Sequence, residues 1–86
     1  MAEHGRIETE VIGREEAANR LFEAGLRYAT GDAVTPDLIA AHKWFNLAAM
    51  RGNQEAARLR REIAAEMSQP QIAAAQRAAR DWLTTH

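Results

Sequence analysis

The sequence predicts an all-α fold, two consecutive antiparallel helical hairpins of a tetratricopeptide-like α-α superhelix, four helices in all. Three observations carry that expectation. Alanine supplies 19 of the 86 residues and nearly half of the 47% that is hydrophobic, whereas the Val, Ile and Thr that cover a pleated sheet are scarce. Apolar residues recur at helical spacing in four segments. Short stretches holding Gly, Pro, Asn or Ser separate those segments, and short connections make neighbouring helices antiparallel. A chain of this length forms one domain and buries only about 60 to 70% of its unfolded surface, so support from a partner is expected.

Residues 1–13 show no helical stripe. Ile7, Thr9 and Val11 alternate with Arg6, Glu8 and Glu10, the pattern of a flexible or extended N-terminal arm. The helical domain is expected over 14–84. Its first helix, Arg14 to Thr30, has Glu15 and Glu16 in the first turn, where the helix dipole favours acid, and Gly31 at its end. Ala18, Leu21, Phe22, Gly25, Leu26 and Ala29 form its stripe. Gly25, costly inside a helix, implies a close approach by another backbone. After a loop in which Val34 is the apolar peg, Thr35 and Pro36 read as an N-cap and first helical residue of a second helix ending at Arg51. Leu38, Ala41, Trp44, Phe45, Ala48 and Ala49 line it, and Gly52 closes it. Asn53 then caps a third helix, Gln54 to Met67, and Ser68 with Gln71 makes a capping box for a fourth, Gln69 to Leu83.

Net charge is −1, from 11 Lys+Arg and 12 Asp+Glu. That balance provides no field to hold the chain on nucleic acid or an anionic membrane, so neither is an expected partner. Absence of cysteine removes disulfides, thiolate nucleophiles and Cys-ligated zinc. No segment approaches the roughly 18 apolar residues of a membrane span and no signal-peptide run opens the chain, so a cytoplasmic location is expected.

An offset of 38 residues pairs Ala18 with Ala56, Leu21 with Leu59, Ala41 with Ala79 and Trp44 with Trp82. Within the first unit, Ala24, Gly25, Tyr28, Gly31, Val34, Asp37, Ala41, Trp44, Ala48, Ala49, Gly52 and Ala56 stand at the spacing of a Sel-one-like repeat. The segment of about 18–57 resembles that subgroup of the tetratricopeptide-like repeats, and about 56–84 resembles a degenerate second unit. It departs from the family at Ala24, where leucine is usual, and at Ala33, where a second loop glycine is common. The resemblance implies packing roles for Gly25, Tyr28, Gly31, Val34, Ala41, Trp44, Ala48, Ala49, Gly52, Ala56 and Trp82. Arrays of this kind bury each unit against its neighbours, and about three units usually make a stable stack.

No catalytic constellation emerges, and no metal or cofactor is expected. His4, His42 and His86 lack ligand spacing, and His42 reads as a surface or partly packed residue. Ser68 is explained as a cap, Lys43 as a solvated side chain and Glu15–Glu16 as a helix start. Arg51, Arg58, Arg60 and Arg61 outweigh Glu55 and Glu62 on the third helix, an ordinary charged face before it is a DNA-binding one. The resemblance implies a protein-interaction module whose groove is lined by the first helix of each hairpin: Asn19, Phe22, Glu23 and Leu26, then Ala57, Arg60 and Ala64. Phe22 would anchor a peptide or helix and Arg60 would meet a carboxylate, although Phe22 and Leu26 fit a plain core face equally well. The alternative is a homodimer through the open ends of the stack, at Trp82, Leu83 and the outer face of the first helix.

Overall fold

The computed structural model describes residues 2–31 and 35–86, with side chains from residue 13 onward. It is all-helical, with α1 over Ala2–Thr30, α2 over Leu38–Met50, α3 over Gln54–Ala64 and α4 over Gln69–Thr85. Among the described residues no helix is long and apolar enough to cross a membrane.

Local chemistry explains most boundaries. Gly31 and Gly52, at φ 72° and 98°, take the left-handed conformation that ends a helix at little cost only for glycine. The Asn53 side chain accepts a hydrogen bond from Ala56 N at 2.8 Å. Ser68 Oγ accepts from Gln71 N at 3.2 Å, and Gln71 Oε1 accepts from Ser68 N at 2.8 Å, which completes the capping box. The second helix starts later than expected, because Asp37, not Thr35, is its cap and accepts from Ala40 N at 3.0 Å. Aspartate outranks threonine in that role.

Three further expectations are corrected. α1 begins at Ala2, so the stretch expected as an extended arm is helical backbone. The alternation at 7, 9 and 11 was too short to choose, since positions 7 and 11 are also one helical turn apart. α3 ends at Ala64, three residues early, and turns at Ala65 and Glu66 lead to the Ser68 cap. Finally, α3 and α4 do not make their main contact with each other as a second hairpin. α2 is the hub, and extensive packing joins it to α1, to α3 and to α4.

The composition of α2 accounts for that hub. All its residues except His42, Lys43 and Asn46 are apolar, and a helix that is apolar around most of its circumference has to be covered on several sides. Ala41, Phe45, Leu47 and Ala48 are buried. Around them Leu21 from α1, Ala56 from α3 and Ala79 from α4 complete one core, with Phe22, Trp44, Leu59, Ile63 and Trp82 packed at its edge.

Candidate functional site

Two of the groove residues expected on α1 and α3, Phe22 and Arg60, each rest on α2. Phe22 is half-buried with its ring centroid 5.8 Å from that of Phe45. Arg60 is half-buried and donates from Nη1 to Asn46 Oδ1 at 2.5 Å. Phe22 and Arg60 therefore rest on successive residues of α2, and α1 and α3 each pack extensively on α2 with at most slight contact between them. Leu26 is 36% exposed, Asn19 and Glu23 are exposed, and Ala57 and Ala64 are half-buried on α3. Asn19 also lines a cleft of about 210 Å³ with Glu15, Ala18, Arg51, Gly52 and Asn53, where α1 passes the α2–α3 turn. None of the other expected groove residues lines that cleft.

Of the expected packing residues, Ala41, Ala48 and Ala56 are fully buried, Trp44, Ala49 and Trp82 pack at the edge of the core, and Val34 lies outside the described residues. Gly25 is buried, and a Cβ there would lie 2.5 Å from two ring carbons of Phe45. The close approach is thus by an aromatic ring and not by another backbone. Tyr28 is a correction: it is exposed, not wedged between hairpins. It sits at the edge of the α1 stripe, and its carbonyl accepts from Asp37 N at 3.0 Å.

His42 is also corrected. It is only 4% exposed, and its Nδ1 has no hydrogen-bond partner. Burial first, and then the positive charge of Arg60, hold its imidazole below the usual histidine range, since both disfavour a second proton on the ring. The α2 stripe drawn from the sequence omitted His42, Asn46 and Leu47, yet Leu47 is fully buried. The missed signal was the near-absence of polar residues in α2, which implies burial beyond a single stripe.

Aromatic and cationic groups also gather where α4 meets α2. Trp44 and Trp82 meet edge to face at 6.0 Å, and His86 stacks on Trp82 at 4.5 Å. Lys43 Nζ lies 4.3 Å from the Trp44 ring centroid and the Arg51 guanidinium 5.4 Å from that of Trp82. The Trp44–Trp82 and Arg51–Trp82 contacts tether α4 to α2, and Lys43 and His86 cover the indoles in part. Beyond them Met50 is 59% and Leu83 37% exposed.

The fold and these surfaces define a small all-α protein built around one central helix. No family model, no curated protein and no solved structure matches the chain.

Proposed function

We propose that the chain is a non-catalytic interaction module that takes a peptide or helix of another protein between α1 and α3, in the cytoplasm. In this reading residues 18–57 are a Sel-one-like unit and 56–84 a degenerate second one. Its main support is that Phe22 and Arg60, on helices with at most slight contact between them, rest on the neighbouring residues Phe45 and Asn46 of α2. An apolar anchor and a cation are thereby both held by α2, with Leu26 exposed one turn beyond Phe22. Rigid aromatic anchors beside arginine are what binding surfaces concentrate.

A second reading, self-association, is favoured by the exposed Leu83 and Met50 beside the Trp44–Trp82 pair. Leu26 and Leu83 are matched in exposure, 36% and 37%, so an aspartate at either should leave the helices intact. Immobilised chain is used to capture partners from extract of the native cell, and sedimentation is run in parallel. Leu26→Asp should abolish capture and Leu83→Asp should spare it. If instead Leu83→Asp converts a dimer to a monomer and Leu26→Asp changes nothing, self-association replaces the proposal.

A further inference from the structure

Arg58 and Arg60 stand two residues apart on α3 and the fold treats them oppositely. Arg58 is exposed, yet its guanidinium is held by Glu55, with Nε to Oε2 at 3.1 Å, and by Glu62 at 2.5 Å. Arg60 is half-buried. It gives one N–H to the neutral amide of Asn46 and, among the described residues, has no carboxylate within 4.0 Å. A charge that has lost water normally has to be paired, whereas an exposed one does not. The pairing here is the reverse of that rule. One turn before Asn46 on α2, the buried Nδ1 of His42 also lacks a partner, and an orphaned buried polar atom is costly for the same reason. A half-buried cation without a carboxylate, beside a helix that carries an orphaned nitrogen, defines a place for an acceptor with negative charge.

We propose that Arg60 and Asn46 form a receptor for a carboxylate carried by the peptide or helix bound between α1 and α3, with the buried His42 responding to its charge and not touching it; this rests on the reading of that surface as a partner site. The coplanar donors of Arg60 not given to Asn46 match the two oxygens of a carboxylate. A single guanidinium balances one negative charge.

The site is proton-linked. Among the described residues Arg60 is the charged group acting on the His42 ring, and no charged side chain of α1 or α4 shifts it. A carboxylate on Arg60 cancels the repulsion that keeps the ring neutral, so His42 takes up a proton more readily when the site is filled. By reciprocity the carboxylate binds more tightly as pH falls through the histidine range.

Sodium acetate is the probe, titrated into the full chain against sodium chloride at equal ionic strength, with the imidazole ¹⁵N and ring-proton signals of His42 read by NMR. Acetate should give a saturable His42 shift, raise the ring's titration midpoint, and bind several-fold more tightly at about pH 5.5 than at about pH 7.5. Arg60→Gln should remove the response and Arg58→Gln should keep it, both with unchanged circular dichroism; should Arg60→Gln unfold the chain, Arg60→Lys, which keeps the charge but not the fork, should weaken acetate. Identical His42 titrations in acetate and chloride would overturn the site, whatever Leu26→Asp does to partner capture. If capture survives Leu26→Asp while acetate shifts His42, the carboxylate site stands, and the failure is that of the α1–α3 surface reading.

Discussion

The seam between α1 and α2 and the seam between α2 and α3 solve the same packing problem differently. In the first, Gly25 removes a side chain so that the Phe45 ring can sit against the α1 backbone, with Leu21 and the small residues Ala41 and Ala48 around it. It is apolar and needs nothing further. In the second, Ala56 is fully buried, but the adjoining polar groups are His42, Asn46 and Arg60, of which one buried nitrogen and most of a guanidinium are without partners among the described residues. The lesson is that the first seam carries stability, and the second trades some of it for an unfinished polar surface.

The comparison breaks most visibly at Phe45. Phe45→Ala empties a fully buried site and should lose about 3–5 kcal/mol, seen as loss of cooperative thermal unfolding in so small a chain. Gly25→Ala should lose about 1–3 kcal/mol, because its Cβ would collide with the Phe45 ring and overpacking is penalised. Gly13→Ala, where nothing lies within 4 Å, should instead gain up to about 1 kcal/mol, from helix propensity alone. Urea midpoints of the two alanine variants that move in the same direction would undo the account of the first seam.

The second seam is sharpened by pH. The folded state holds the His42 imidazole below its usual range, so folding favours the neutral ring. That contribution is complete above the ordinary histidine pKa of about 6.5 and is lost as pH falls below it. Urea unfolding of the wild type should therefore weaken on acidification through this range, and His42→Leu should flatten the change. A His42→Leu chain with the wild-type pH dependence would remove His42 from the explanation. Smaller again is the helix cap: Asn53→Ala should cost about 1 kcal/mol and Asp37→Ala a similar amount, with Thr35→Ala near neutral. At the bottom of the scale, Arg58→Ala at the exposed Glu55 and Glu62 pairs should leave the midpoint unchanged within error, as surface ion pairs usually do.

The sequence was most legible where structure is decided by neighbours along the chain. Asn53 and Ser68 announce their helices because the groups they cap lie three residues away, and Gly31 and Gly52 mark the stops because few other residues tolerate the backbone angle. The same local reasoning misplaced the start of α2, where Thr35 and Asp37 compete for one role. It also misread the residues before Arg14, where a short alternation and a helical spacing coincide. Of the candidate surface, Phe22 and Arg60 were legible as an anchor and a cation. That Asn46 takes Arg60, that His42 is buried beside it and that Tyr28 faces solvent depend on which helices meet α2, and no spacing within one helix encodes that. The placing of α3 and α4 against α2 and not chiefly against each other is another consequence of α2 being apolar on nearly every side.

The central claim is that the open side between α1 and α3 is where another protein docks. Hydrogen exchange of the chain with and without its purified captured partner tests it most directly. Binding should slow exchange at amides of 19–26 on α1 and 57–64 on α3 while leaving the C-terminal turns of α2 and α4 unchanged. Protection confined to those turns, around Met50 and Leu83, with no change on α1 or α3, would contradict it.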